Sequence, residues 1–251
     1  MNRKKIVDAF EKYVSAYDLA DAKIDLKYIH TQKVAENSEQ IAKSLHLNDK
    51  DIDLCWEIGM LHDIGRFEQL RRYNTFIDSD SIDHAIFGAD LLFEEHLIRA
   101  FDENDENNHL IDTAIRLHNV YELPDVLTER ELLFCQIIRD ADKIDIYRAN
   151  LMTPMEDIYN TTTSVLKNAA ITPAVYQALE EHHTVLRSLK QTVVDNLIGH
   201  LSLYYGLVFP ESKRMVVEQG YLWKLANFHS DNPKTERILN EIRSTHRNEW
   251  T

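Results

Sequence analysis

Six residues between positions 30 and 142 have side chains that could bind divalent metal ions. Four are histidines, out of twelve in the chain, and each lies on a predicted helix face that also carries apolar residues. The other two are aspartates in apolar helical surroundings. Buried imidazoles would repel one another if protonated, and a lone buried carboxylate is costly, whereas a metal ion takes both as ligands. The candidate metal ligands are His30, His62, Asp63, His84, His118 and Asp142.

The remaining eight histidines have polar surroundings or no evident partner. We expect each of them to be an ordinary solvated or packed side chain rather than a ligand. They are His46, His96, His109, His182, His183, His200, His229 and His246.

Helical periodicity dominates the chain and would place the candidate ligands on helices. Gly65 is expected to end the third helix and to begin a polar loop that runs to Asp80, after which Ser81 would cap a helix to about His96. Three later helices are expected to begin near prolines, which the first turn tolerates. The predicted helices cover about 3–18, 30–45, 51–64, 81–96, 109–120, 129–149, 173–190, 191–206, 211–228 and 233–248.

Composition favours an all-α protein. The 251 residues include only 6 glycines and 5 prolines, fewer than the turns of a β-sandwich or barrel require, and 44% are hydrophobic, which excludes general disorder. We predict a helical-bundle core with its N-terminal helix over 1–150. Residues 151–251 would form a helical extension that packs on this core and covers the site.

Charge and cysteine usage restrict the partners and the compartment. With 28 Lys+Arg against 42 Asp+Glu, the net charge of −14 argues against binding to duplex nucleic acid. No stretch has the ~18 apolar residues of a membrane span. The two cysteines, Cys55 and Cys135, are too few for a disulfide framework, so we expect a cytoplasmic protein. If the protein forms oligomers, we expect a homodimer, because symmetric dimers are the commonest oligomers of soluble proteins.

The order of the candidate ligands, with their neighbours, resembles the HD-domain superfamily of metal-dependent phosphohydrolases. The resemblance covers about residues 25–150 and is of the HDIG type. The minimal site of that family uses one histidine, the His-Asp pair and a final aspartate. The matching segments are Leu61-His62-Asp63-Ile64-Gly65-Arg66, Asp83-His84-Ala85, Arg116-Leu117-His118-Asn119 and Ala141-Asp142.

His84 and His118 match two additional histidines of the binuclear members. The resemblance therefore implies two divalent ions, one held by His30, His62, Asp63 and Asp142, and one held by His84, His118 and Asp63. Asp63 would bridge the two ions and so take part directly in catalysis. Fe or Mn is favoured, and Co, Ni or Zn also suits such a ligand set. Asp140 is the alternative to Asp142 as a ligand, but its helix face is less apolar.

The residue three positions after Asp63 separates branches of the family, because mononuclear members have glutamate there and this chain has Arg66. We expect Arg66 to bind phosphate and to offset charge in the transition state, the alternative being a surface arginine paired with Glu68. Asp145 would either orient a ligand or pair with Arg148. Weaker candidates for phosphate binding, which could equally be solvated, are Arg71, Arg72 and Lys143.

The function that the resemblance implies is hydrolysis of a nucleotide or another small phosphate ester through a metal-bridging hydroxide. The histidine set resembles that of bacterial diadenosine tetraphosphate hydrolases. It also resembles that of cyclic-dinucleotide phosphodiesterases, whose Gly-Tyr-Pro motif is absent here. Two alternatives remain: a di-iron HD-domain oxygenase, which uses a similar ligand set, and a non-catalytic HD ligand-binding module, which would usually have lost ligands.

Overall fold

The computed structural model describes residues 2–251 and is built from α-helices joined by loops and three short 3-10 helices. Residues 2–251 contain no β-strand, so the predicted all-α class is confirmed. No helix in this range combines the length and the apolar character needed to cross a bilayer. The α-helices are α1 Arg3–Val14, α2 Ala22–Ser44, α3 Asp49–Leu61, α4 Ile64–Tyr73, α5 His84–Phe93, α6 Ile98–Phe101, α7 Asn108–Arg116, α8 Glu129–Met152, α9 Met155–Tyr159, α10 Thr163–Asn168, α11 Pro173–Glu180, α12 Val194–Ser202, α13 Pro210–Gln219, α14 Tyr221–Ala226 and α15 Pro233–Trp250.

The chain divides into two compact units, Met1–Asp142 and Lys143–Thr251, and the division falls within α8. In the first unit, α3 is buried along its whole second half, from Leu54 to Leu61. The second unit has its own core, to which α12 and α15 contribute. Its buried apolar side chains include Leu197, Leu201, Leu222, Leu239 and Trp250.

The prediction that Gly65 ends a helix and begins a loop is wrong. Gly65 is the second residue of α4, which follows α3 after only two residues. Asp63 has non-helical dihedral angles (φ −107°, ψ 18°) and lets the chain change direction between the two helices. The loop instead starts at Asn74, whose positive φ of 54° ends α4, and Asp83 rather than Ser81 caps α5.

Two glycines allow helices of the first unit to cross at very short distance. A Cβ atom on Gly59 would lie 2.6 Å from the Cα of Ala35, so α2 and α3 touch backbone to backbone. A Cβ atom on Gly65 would lie 2.6 Å from the carbonyl oxygen of His84 and 2.7 Å from the amide nitrogen of Gly88 in α5. The helices that carry the histidines therefore lie closer together than larger residues would allow.

We expect the substitution Gly65→Ala to lower the free energy of unfolding by about 1–3 kcal/mol. Alanine gains up to ~1 kcal/mol in helix propensity, but the added methyl group meets backbone atoms that cannot move aside. Urea denaturation measures the change, with Lys50→Ala at an exposed position of α3 as control. Equal stability of the Gly65→Ala variant and the wild type would show that the crossing is not tight.

A buried acid lies in the middle of α3. The Glu57 side chain has no exposed surface, and neither carboxylate oxygen has a hydrogen-bond partner within residues 2–251. Burial, with a smaller contribution from the negative charges of Asp102 and Asp53, raises the pKa of Glu57 from 4.5 to about 8. Glu57 is therefore protonated in the folded chain at neutral pH.

This raised pKa makes stability depend on pH. Above pH 4.5 the unfolded chain loses the Glu57 proton while the folded chain keeps it up to about pH 8, so stability falls as the pH rises through that window. The variant Glu57→Gln cannot ionise, and we expect its stability relative to wild type to increase steadily from about pH 5 to about pH 8. Urea denaturation across this range, with the exposed Glu11→Gln as control, tests this. Parallel stability curves for wild type and Glu57→Gln would contradict it.

Candidate metal centre

The structure brings the six predicted metal ligands together in the first unit. Each of these residues except Asp142 is at least 95% buried, and the side chain of Asp142 is 19% exposed. Three of them lie at helix junctions rather than within helices, contrary to the prediction: His62 follows α3, Asp63 precedes α4, and His118 lies beyond the end of α7. The other three lie on helices, namely His30 on α2, His84 at the start of α5 and Asp142 on α8.

The Asp63 carboxylate lies at the centre of this group, and its two oxygens face different histidines. Oδ2 lies 3.6 Å from Nε2 of both His30 and His62. Oδ1 lies 3.5 Å from Nε2 of His84 and 3.8 Å from Nε2 of His118. Asp63 is thus shared between two sets of potential ligands.

The second carboxylate completes the first of these sets. Oδ1 of Asp142 lies 3.1 Å from Nε2 of His30 and 4.0 Å from Nε2 of His62. Asp142 is therefore an α8 carboxylate that lies beside the histidines, as predicted. Asp140 is nevertheless fully buried, so the expectation that its helix face is less apolar is wrong.

Hydrogen bonds on the far side of three imidazole rings determine which nitrogen carries the proton. Nδ1 of His62 lies 2.7 Å from the carbonyl oxygen of Gly59, and Nδ1 of His118 lies 2.7 Å from that of Ile115. A carbonyl oxygen can only accept, so each Nδ1 is an N–H donor. Nδ1 of His84 likewise donates to Oδ2 of Asp78 at 2.7 Å. The three Nε2 atoms consequently direct lone pairs towards Asp63.

The electrostatics of this arrangement fit metal binding. Burial is the main cause that lowers the pKa of His84 and of His118 to about 4, and it also lowers the pKa of His62. The rings are therefore neutral near pH 7, yet Nε2 of His84 and Nε2 of His118 lie only 3.1 Å apart. Nε2 of His62 is buried without a hydrogen-bond partner within residues 2–251. Converging lone pairs and buried carboxylates are what a bound cation stabilises.

Lys27 is a cation at this centre that the sequence analysis missed. Its Nζ donates a hydrogen bond to Oδ2 of Asp63 at 2.6 Å, and its side chain is 17% exposed. Although burial works the other way, Lys27, His62 and Arg66 hold the pKa of Asp63 well below its usual value. Lys27 lies three residues before His30 on α2, so helical spacing could have pointed to it.

Arg66 lies beside the centre, and one nitrogen of its guanidinium, Nη1, binds other protein groups, whereas its buried Nε has no hydrogen-bond partner within residues 2–251. Nη1 donates to the side chain of Gln69, to the carbonyl oxygen of Phe76 and to Oδ1 of Asp78, at 2.7–2.9 Å. Its Nε lies 3.6 Å from Oδ1 of Asp63. Arg66 is therefore neither on the surface nor paired with Glu68; it attaches the loop after α4 to the metal centre.

Asp78 is the second functional residue that the sequence analysis missed. Its Oδ2 accepts from Nδ1 of His84, while its Oδ1 accepts from Arg66 and from Gln69. Burial opposes ionisation, but the hydrogen bond from His84 and the charge of Arg66 lower the pKa of Asp78 to about 2. Several acids lie in this loop, and nothing in their spacing distinguishes Asp78.

The other predicted residues lie in different surroundings. Arg71 and Arg72 are exposed and both bind Glu68. In the second unit, Nζ of Lys143 donates to the carbonyl oxygen of Gly206 at 2.6 Å. Both oxygens of Asp145 accept from Arg148 at 2.6 Å, which is the pairing weighed as the alternative to ligand orientation.

Comparison with models of protein families gives a domain match in the first part of the chain. The profile of the HD domain matches residues 28–147, a range that contains all six residues of the centre. No curated protein and no solved structure matches the chain. HD domains are typically metal-dependent phosphohydrolases, and the buried His/Asp groups found here could hold metal ions. The resemblance inferred from the motifs is thereby confirmed: this chain carries an HD domain over residues 28–147.

Proposed function

We propose that the chain is a phosphohydrolase that uses two divalent metal ions. His30, His62, Asp142 and Oδ2 of Asp63 would hold one ion, and His84, His118 and Oδ1 of Asp63 would hold the other. The observation that carries this proposal is the central position of Asp63, each of whose oxygens faces a different pair of imidazoles. Fe or Mn is favoured among the metals that accept mixed imidazole and carboxylate ligands.

Bound ions of this kind supply a water of lowered pKa and Lewis-acid activation of phosphate oxygens. The chain's own contribution is to keep the ligands ready. The Nδ1 protons of His62, His118 and His84 are held by hydrogen bonds to the carbonyl oxygens of Gly59 and Ile115 and to the carboxylate of Asp78. The Nε2 lone pairs of these three rings therefore point inward. Burial keeps these rings neutral and so available as ligands.

Lys27 and Arg66 supply the positive charge that an anionic substrate requires. Lys27 binds Asp63 directly and is partly exposed, so its ammonium group can turn towards a phosphate that enters the centre. We propose that Arg66 acts chiefly by holding Asp78 and the loop after α4, and its direct contact with phosphate stays a prediction. The proposed substrate class is a small phosphorylated molecule such as a nucleotide.

Phosphate release measures this function directly. We expect the wild-type protein, purified without chelator and supplied with Mn²⁺ or Fe²⁺, to release phosphate from at least one of a panel of nucleoside mono-, di- and triphosphates, or to cleave a dinucleoside polyphosphate into two nucleotides, which chromatography detects. The rate should be the same with and without oxygen. Asp63→Ala should abolish turnover and remove about two equivalents of metal per chain, because it removes the ligand shared by both ions.

The control for this experiment is Asp125→Ala, an exposed acid in a loop of the same unit. It should leave phosphate release and metal content unchanged. Full activity of Asp63→Ala would contradict the proposal. Oxygen uptake without phosphate release would indicate the oxygenase instead, and metal binding without any turnover would indicate a ligand-binding module.

Two aspartates in the loop after α4 test whether the hydrogen bond to His84 matters or only the negative charge of the loop. Asp78 binds His84, whereas Asp80 is exposed. We expect Asp78→Ala to lower activity or metal affinity by about 10–100-fold, because loss of a carboxylate behind a ligating histidine leaves its ring unoriented. Asp80→Ala should match the wild type. Elemental analysis and steady-state kinetics measure both effects, and equal losses in the two variants would refute a specific role for Asp78.

A further inference from the structure

A second group of metal-binding side chains lies wholly within the second unit, and it does not depend on the function proposed above. One nitrogen each from His182 and His246 and one carboxylate oxygen of Glu249 lie within 4.8 Å of one another. His182 follows α11, while His246 and Glu249 lie in the last turns of α15. Histidine nitrogens and carboxylate oxygens bind Zn²⁺ at ~2.0–2.2 Å, so the three atoms would have to move closer together around a bound ion.

His246 is oriented as a metal ligand should be. Its side chain is fully buried, and its ring stacks on Trp250 with centroids 4.9 Å apart. Nε2 lies 3.0 Å from Oε1 of Glu180, so a proton on Nε2 is held by a carboxylate. Nδ1 then presents its lone pair on the other side, where it accepts from the Tyr205 hydroxyl at 2.6 Å. A carboxylate behind the ring is the usual support of a zinc-bound histidine.

His182 lies on the solvent-exposed side of the same group of ligands. Its backbone has a positive φ of 60°, a conformation that is unfavourable for a non-glycine residue. Its ring stacks on Tyr205 with centroids 4.4 Å apart, and its Nε2 lies 4.0 Å from Oε1 of Glu249. The side chains of His182 and Glu249 are 51% and 44% exposed, so an ion can enter from solvent.

The charges around the group favour a cation. Glu180 and Glu249 contribute two carboxylates, and Oε2 of Glu249 lies 3.3 Å from the Tyr205 hydroxyl. The ammonium group of Lys213 lies over the neighbouring ring of Tyr204, 5.5 Å from its centroid. The Tyr205 hydroxyl donates its hydrogen bond to the Nδ1 lone pair of His246. When an ion binds Nδ1, this hydroxyl would have to move towards Glu249.

We propose that His182, His246 and Glu249 bind a divalent transition metal ion of the Zn²⁺ class, with Glu180 as the positioning residue for His246. The ion would link the end of α11 to the end of α15 and so stabilise the second unit. It is a site separate from the HD centre, because all its ligands lie beyond residue 142.

Two adjacent histidines allow a matched test of this site. His183 is exposed, lies next to His182 and belongs to no such group of ligands within residues 2–251. Its Nδ1 is 3.8 Å from Oε2 of Glu181. After equilibrium dialysis of the full chain against Zn²⁺, we expect His182→Asn to hold about one equivalent less than wild type. His183→Asn should hold the wild-type amount. Asparagine tolerates positive φ, so neither substitution should disturb the fold.

Loss of the same equivalent in both variants, or in neither, would overturn the proposal. A second variant tests the positioning residue: Glu180→Gln should weaken Zn²⁺ binding at this site by about 10–100-fold. Because Trp250 stacks on His246, quenching of tryptophan fluorescence by Co²⁺ should also be smaller in His182→Asn than in His183→Asn. Identical quenching in these two variants would argue against binding here.

Discussion

The buried Asp63 carboxylate, surrounded by four imidazoles, constrains the rest of the first unit. In water each of these groups would be solvated, but here burial removes that solvation and keeps the rings of His62, His84 and His118 neutral near pH 7. Lys27 compensates part of the negative charge of Asp63. A centre with converging lone pairs and more carboxylate than ammonium charge is stable when it holds cations.

The backbone around the centre is constrained by the same ligands. The two glycines that allow the helices to cross also contact ligand residues. Gly59 permits contact with Ala35 on α2, and its carbonyl oxygen holds the Nδ1 proton of His62. Gly65 permits contact with the carbonyl group of His84 itself. Crossing distance and ligand orientation are therefore coupled, so that a methyl group added at either glycine would displace a ligand as well as a helix.

Support of the ligands extends into the loop between α4 and α5. Asp78 receives hydrogen bonds from His84, Arg66 and Gln69, and thereby connects this loop to both helices. The cluster in the second unit has a similar carboxylate–histidine pair, Glu180 with His246, but its other members are half exposed. One chain thus contains a buried centre suited to chemistry and an open cluster suited to binding an ion from solvent.

The amino-acid sequence alone determined the all-α class, since scarce glycine and proline together with helical periodicity leave little room for strands. The sequence was also sufficient to recognise the HD domain, because its His and Asp residues stand in short motifs that can be read without knowledge of the packing. Only the tertiary structure decided that Asp142 lies beside His30 and that Arg66 binds the loop after α4. It alone revealed the roles of Lys27 and Asp78. These depend on distances between residues far apart in the chain, and on a loop without periodicity, which no spacing along the sequence encodes.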